Sequence, residues 1–144
     1  MKVLLAIDDS KFSQAAVDKL IAEANPRETE VRVLHVLEPN PRYPRGQTWG
    51  YVPEASQVLE EQRQEAEGLV ARASQILRDA GFTVTTVIEE GNPKGMIIDC
   101  AAEWHADLIM VGSHGRKGLD RFLLGSVSEA VARHARCSVQ IVRP

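Results

Sequence analysis

Short apolar runs alternate with longer helical patterns along the whole chain, and this alternation constrains the fold more than any other feature. The first run, Val3–Ile7, is continuously apolar, as expected for a strand buried on both faces of a sheet. Four more strands are predicted, at Val31–Leu37, Thr83–Ile88, Leu108–Val111 and Val139–Val142. Because the strands are separated by helices, they are expected to form right-handed βαβ units and one parallel sheet.

Apolar residues at helical spacing predict four helices between these strands. The first, with apolar positions from Ala16 to Ala24, ends at Asn25-Pro26, and the second runs from about Glu54 to Ala80, where Gly81 stops it. The third begins at Asn92-Pro93, a capping residue followed by proline, and the last runs from about Ser126 to His134. The prediction is a three-layer, Rossmann-like α/β fold forming a single domain over residues 1–144.

The order of the strands follows from their polarity. The fully apolar strands Val3–Ile7 and Leu108–Val111 should be central, whereas TVTTVI and the C-terminal SVQIV suit the two edges. The order 3-2-1-4-5 satisfies this and reverses direction between strands 1 and 4, which opens a ligand crevice at the carboxyl ends of the strands. Asp8 and Gly112, the first residues after the two central strands, are expected to face each other across that crevice.

Composition narrows the class of protein. A formal net charge of −3 argues against a nucleic-acid partner, since such proteins usually carry a net basic surface. No apolar run reaches the length of a secretory signal or a membrane span, so a cytoplasmic protein without a membrane partner is expected. Cys100 and Cys137 form no CxxC pair and are predicted to be small buried side chains in a reducing compartment.

One stretch, IMVGSHGRKGLDRFLLGSVSEAVARHA at residues 109–135, carries the main functional signal. Gly112 is expected to let the chain turn tightly after strand 4, and Gly115 to let the backbone approach a ligand closely. Gly125-Ser126 opens a helix whose free N–H groups attract an anion, with hydroxyl donors at Ser126 and Ser128.

The loop between the second and third of these glycines is basic, with Arg116, Lys117 and Arg121. Each feature taken alone is more often ordinary loop and cap chemistry. Their combination opposite Asp8 predicts a cradle for a polyanion, most naturally a chain of phosphates.

The spacing Gly112-x2-Gly115-x9-Gly125-Ser126 resembles the G-x2-G-x9-G-(S/T) signature of ATP-binding universal stress proteins. The start VLLAIDDSKFSQAAV resembles the N-terminal strand, aspartate and serine-rich helix start of that family, and the resemblance covers the whole chain.

The resemblance implies ATP as the ligand, with Mg²⁺, or alternatively ADP or AMP. Asp8 would meet the ribose or a metal bound with the phosphates. The residues that would contact the nucleotide, from the adenine to the γ-phosphate, are Ala6, Ile7, Asp8, Val36, Val111, Gly112, Gly115, Gly125, Ser126, Val127 and Ser128.

Three functions are compatible with this pattern. The favoured one is a stress-response protein in which ATP is a ligand or switch, because the sequence has neither GxxxxGK(S/T) nor SGGxDS. The second is a slow metal-dependent ATPase or nucleotidyl-transfer enzyme that uses Asp8. The third is a scaffold that has lost nucleotide binding.

Histidines and a long connection are further candidates. His114 could contact phosphate, but a solvated loop histidine is favoured, and His35, His105 and His134 are interpreted as structural or surface residues. The proline-rich connection at residues 38–53, which contains Trp49, is either a flap over the nucleotide, a subunit contact or a mobile excursion.

The C-terminal strand predicts the quaternary structure. SVQIV would leave an apolar, unpaired edge, and the resemblance also implies dimers joined through the last strand. A homodimer with Val139–Val142 at or beside its two-fold axis is therefore expected.

Overall fold

The protein forms a five-stranded parallel sheet in the order β3-β2-β1-β4-β5, which confirms the predicted strand order. This computed structural model describes residues 1–39, 53–115 and 124–144. The strands are β1 (Lys2–Ala6), β2 (Glu30–Leu37), β3 (Thr83–Glu90), β4 (Leu108–Gly112) and β5 (Ser138–Val142). The α-helices are α1 (Lys11–Glu23), α2 (Pro53–Asp79), α3 (Pro93–Trp104) and α4 (Ser126–His134), and a short 3-10 helix covers Pro26–Glu28.

Most strand and helix ends lie within a residue or two of the prediction, which is the usual uncertainty of such boundaries. The largest difference is at β3, which continues to Glu90 because it pairs with β2 along its whole length, from Thr83 opposite Glu30 to Glu90 opposite Leu37. β1, in contrast, ends one residue before the predicted end, at Ala6, although the N–H of Ile7 still donates to the Leu34 carbonyl.

Two hydrophobic clusters, one on each face of the sheet, hold the layers together. The α1 and α2 side contains Leu5, Leu20 and Leu77, all 2% exposed or less. The α3 and α4 side contains Leu4, Leu34 and Val131, none of them exposed to solvent. Successive β1 residues enter opposite clusters because side chains alternate across a strand, so helices on both faces are required to bury it.

The predicted helix boundaries have identifiable causes. Asn92 caps α3 by accepting a hydrogen bond from the N–H of Lys94, and Pro93 follows at the first helical position. Gly81 follows the end of α2 with φ of +96°, a conformation that favours glycine. His105 ends α3 in the left-handed conformation, with φ of 59°.

The cysteines are free thiols of intermediate exposure, so they are less buried than the sequence suggested. Both lie against the cluster on the α3 and α4 side, and burial raises the pKa of each thiol above its ordinary value. In the part of the chain that the structure describes, no helix combines the length and apolar character needed to cross a bilayer.

Candidate functional site

The carboxyl ends of β1 and β4 lie side by side where the strand order reverses, and the predicted site residues collect there. Ala6 pairs with Val111 in adjacent parallel strands, so the turn after each strand leaves the sheet at the same edge. The β1 turn leads into α1, and the β4 segment leads towards α4. This is the position at which open α/β sheets bind ligands.

Asp8 is fixed by a hydrogen-bond network at the start of α1. Its Oδ1 accepts from the N–H of Ser10 at 2.9 Å and from the Ser13 hydroxyl at 2.8 Å. The same hydroxyl accepts from the N–H of Asp8 at 2.7 Å, and the Ser10 Oγ caps the helix by accepting from the N–H of Ser13. Asp8 is therefore held in one orientation by its own turn.

Gly115 lies against the other oxygen of that carboxylate. A Cβ added to Gly115 would stand 3.1 Å from Asp8 Oδ2. Gly115 and Asp8, which follow β4 and β1, are therefore close neighbours in the crevice. The φ of Gly115 lies outside the left-handed region, so its conformation does not require glycine. Its close neighbour is Asp8, and the predicted close approach to a ligand stays a prediction.

Gly112 has a different role from the predicted one. It is the last residue of β4, opposite Val142, and does not form a tight turn beyond the strand. A Cβ on Gly112 would lie 2.7 Å from the Phe12 Cβ and 2.8 Å from the Phe12 carbonyl carbon and oxygen. Glycine is needed because the first turn of α1 packs directly on β4.

The Ser113 carbonyl ties the end of β4 to the start of α4. It accepts from the N–H of Gly125 at 2.8 Å and from the Ser128 hydroxyl at 2.8 Å. A Cβ on Gly125 would stand 3.0 Å from this oxygen, so glycine allows the close contact. The base of the connection from β4 to α4 is thereby fixed.

The N-cap residue of α4 supplies no side-chain cap. Gly125 is its N-cap residue and makes no side-chain hydrogen bond, and Ser126 is exposed. The N–H groups at the start of a helix have no partner within the helix and carry its positive dipole end. This helix start can therefore accept an anion.

Ser128 does not present a free hydroxyl, which corrects the expectation that it donates to phosphate. Its side chain is 2% exposed, and its Oγ lies 2.8 Å from the Ser113 carbonyl and 3.0 Å from the Gly125 carbonyl. A serine hydroxyl has one hydrogen, and both neighbouring oxygens are acceptors. Ser128 thus stabilises the loop base, and only its backbone N–H remains for an anion.

The apolar candidates divide between the two faces of the sheet. Ala6, Val36, Val111 and Val127 all belong to, or pack against, the cluster on the α3 and α4 side. Ile7 belongs to the opposite cluster, its N–H donates to Leu34, and its carbonyl contacts His35 Nδ1 at 2.7 Å. Ile7 is therefore committed to structural contacts, which weighs against its predicted role as a wall of the nucleotide site.

His114 is not the solvated histidine that was expected. Its ring packs on Phe12 with centroids 5.1 Å apart, and its Nδ1 lies 3.1 Å from the Ser113 Oγ. Its Nε2 is buried, with no hydrogen-bond partner among the residues described. His105 and His134 are exposed, and His35 has the structural contact given above, as predicted.

Two predicted features lie outside the described residues. They are the basic loop side chains Arg116, Lys117 and Arg121, and the connection at residues 40–52 with Trp49. The expectations for both stay predictions.

Phe12 and Ser13 are site residues that the sequence argument missed. Ser13 holds Asp8, and Phe12 contacts Gly112 and His114. The pattern Asp8-x-Ser10-x2-Ser13 gave a usable signal, since short hydroxyl side chains at a helix start bond to nearby backbone. Nothing in the sequence indicated the contact between Phe12 and Gly112, because it joins distant parts of the chain.

Comparison with known proteins gives one consistent result. Residues 1–143 match the sequence model described as the universal stress protein family. The chain is 33% identical to a putative universal stress protein of Staphylococcus haemolyticus, over 98% of this chain and 83% of the relative. It is 32% identical to a universal stress protein of Methanocaldococcus jannaschii, over 99% of this chain and 81% of the relative.

Solved structures agree with this result. The fold is similar to that of the hypothetical protein MJ0577, with a TM-score of 0.82 and 27% identity over 99% of this chain and 95% of that one. A universal stress protein in complex with cAMP matches with a TM-score of 0.67 and 25% identity, over 99% of this chain and 95% of that one.

Proposed function

This chain belongs to the universal stress protein family, and we propose that it binds an adenine nucleotide, ATP in the first place, as a ligand or switch. The site lies between the β1 turn and the start of α4. The nucleotide would contact both sides of the crevice, with its ribose towards Asp8 and its phosphates at the start of α4.

The uncapped start of α4, held against Ser113, is the observation that carries this proposal. Backbone N–H groups at a fixed helix start bind anions without any change in conformation. Gly115 leaves space beside Asp8 that a Cβ would fill, so the backbone there can approach a ligand. This arrangement fits a phosphate chain.

A structurally similar protein supports the choice of an adenine nucleotide as the ligand. The universal stress protein whose structure contains cAMP shares this fold over nearly the whole chain. Ala6, Val36 and Val111 offer an apolar surface beside the crevice for a base. Mg²⁺ bound with ATP would be held mainly by phosphate oxygens and water, as is usual for this ion, and Asp8 could add one oxygen.

Mass spectrometry of nucleotide released from the purified, denatured protein tests this proposal directly. We expect an adenine nucleotide in the parent protein and little or none in a Gly125→Asp variant. In that variant, a carboxylate would cap the free N–H groups and repel the phosphates, and its Cβ would crowd the Ser113 carbonyl. Asn92→Asp is the matched control, because it places the same carboxylate at the start of α3, where a side-chain cap already exists. Absence of bound nucleotide, together with no calorimetric signal on adding ATP, would favour a scaffold.

The second candidate is a slow ATPase or nucleotidyl-transfer enzyme at the same site. Among the described residues, no group of three or more His, Cys, Asp or Glu side chains is placed to hold a metal ion. Metal-assisted hydrolysis at this site would therefore depend on Asp8 and the phosphates of the nucleotide. Single-turnover kinetics with ATP and Mg²⁺ separates the two, since a rate near 1 s⁻¹, at the low end for enzymes, would establish the enzyme.

We also propose a homodimer through β5. Among the described residues, this strand pairs only with β4, and Val139 and Ile141 are half-buried against the cluster on the α3 and α4 side. An unpaired strand edge with apolar side chains is a ready surface for a second copy.

Light scattering at micromolar concentration tests the dimer. We expect twice the mass of the chain for the parent and the monomer mass for Val139→Lys. Thr86→Lys is the matched control, because it places the same charge on β3, the opposite edge strand, at an exposed position. A monomeric parent would refute the proposal.

A further inference from the structure

We infer that Ser13 is the positioning residue that sets the ligand selectivity of Asp8, by turning a single carboxylate oxygen towards a sugar hydroxyl. The inference rests on the proposed nucleotide site, in which the ribose lies towards Asp8, and adds to it the residue that orients the Asp8 carboxylate. Ser13 is 6% exposed and its hydroxyl bonds to Asp8, so it is placed to orient Asp8 and not to contact the ligand itself.

The directions of the hydrogen bonds around Ser13 follow from the atoms involved. The N–H of Asp8 can only donate, so the Ser13 Oγ accepts it at 2.7 Å. A carboxylate oxygen only accepts, so the single Ser13 hydrogen points to Asp8 Oδ1 at 2.8 Å. Ser13 therefore bonds to Asp8 at both the backbone and the side chain, which fixes the rotation of the carboxylate.

The two oxygens of Asp8 are left in different situations. Oδ1 accepts two hydrogen bonds, one from Ser13 and one from the N–H of Ser10. Oδ2 is the oxygen nearest to Gly115, and a Cβ there would stand 3.1 Å from it. Asp8 therefore presents Oδ2 to the side of the crevice that contains Gly115.

One fixed acceptor oxygen matches a hydroxyl donor. A hydroxyl bonds to a single oxygen, and a charged acceptor makes that bond strong. Two-oxygen binding of a cation by Asp8 is disfavoured, since it would have to displace the Ser10 and Ser13 bonds from Oδ1. The geometry thus fits one ribose hydroxyl at Oδ2 and disfavours chelation of a metal ion by both oxygens of Asp8.

Calorimetric titration in EDTA tests the inference with ATP, 2′-deoxy-ATP and 3′-deoxy-ATP. We expect the parent to bind ATP about tenfold more tightly than the weaker of the two deoxy analogues, which corresponds to about 1.4 kcal/mol. Ser13→Ala should reduce this ratio to less than threefold, because only the Ser10 bond then holds Oδ1 and the carboxylate rotates more easily. The ratio of the affinities is the informative quantity, since a general loss of stability would weaken the binding of all three nucleotides together.

Two further variants make the test robust. Ser13→Cys keeps the side chain small but replaces the hydroxyl by a weak S–H donor, so it should also lose the preference even if Ser13→Ala does not fold. Asn92→Ala removes a helix cap from α3 without touching Asp8, so the tenfold preference should persist.

The outcomes separate this inference from the proposed function. Failure of the parent to bind ATP would remove the nucleotide site and the inference with it. Tight ATP binding with no preference over either deoxy analogue would overturn the inference alone. So would an unchanged preference in both Ser13 variants, or a Ser13→Ala effect that appears only when Mg²⁺ is added.

Discussion

Helices α1 and α4 begin at the same edge of the sheet, yet their first turns are built in opposite ways. At α1, Ser10 caps the helix and Ser13 bonds to Asp8, so polar groups of this turn satisfy one another. At α4, the N-cap residue is Gly125, which has no side chain to cap the helix. The first turn is closed, whereas the second is open.

The difference assigns the two turns different tasks. A closed turn fixes the atoms that it holds, and here it fixes the carboxylate of Asp8. An open turn keeps its N–H groups for an external anion. In the proposed function, recognition of the sugar and of the phosphates would be divided between the two helix starts, and substitutions should separate the tasks.

The largest effect is expected where α1 packs on β4. Gly112→Val should lower the free energy of unfolding by about 3 kcal/mol, because its Cβ would overlap the backbone of Phe12. Denaturant titration measures this loss. Gly95→Ala is the control, since a Cβ there meets nothing within 4 Å and alanine favours the helix. A Gly112→Val loss below 1 kcal/mol would show that α1 can move away from β4.

Gly115→Val should act on binding instead of folding. We expect at least a tenfold loss of ATP affinity, about 1.4 kcal/mol, because the bulky side chain would occupy the space beside Asp8 Oδ2. Circular dichroism should show a normally folded protein. Gly115→Ala should cost less, since the backbone conformation suits alanine. If the valine variant binds ATP like the parent, Gly115 does not face the ligand.

The two serines at the helix starts should give opposite results. Ser10→Ala should cost about 1 kcal/mol of stability, the usual worth of a helix cap, with ATP affinity within twofold of the parent. Ser126→Ala should leave stability unchanged and reduce affinity by less than Gly115→Val, because the backbone N–H groups of α4 remain. Thermal unfolding measures the stability of the two variants, and calorimetry measures their affinity for ATP. Equal losses in both assays would remove the distinction between closed and open turns.

The smallest effect is expected for alkylation of Cys100, a residue away from both turns. Its thiol lines a groove of about 220 Å³ with Glu89 and Trp104, and burial, followed by the charge of Glu89, raises its pKa. The thiolate fraction at pH 7 is therefore lower than for an exposed cysteine, and alkylation by iodoacetamide should accelerate only as the pH rises above the ordinary thiol range. Mass spectrometry of the Cys100 peptide measures the rate. Protection by ATP would contradict the position of the nucleotide.

Much of the fold was predictable because it depends on local pattern. The apolar Val3–Ile7 run, the Asn92-Pro93 cap and Gly81 each act within a few residues, and each has its predicted effect in the structure. The strand order was predictable as well, since polarity distinguishes central strands from edge strands.

By itself, the sequence determined the sheet, its order and the edge at which the glycines and Asp8 meet, because periodicity and the chirality of βαβ units leave few alternatives. Only the tertiary structure decided what each residue at that edge does. Gly112 accommodates Phe12, Ser128 bonds to Ser113, and Ile7 belongs to the opposite face. These roles depend on contacts between residues distant in sequence, whose distances are set only when the helices pack on the sheet.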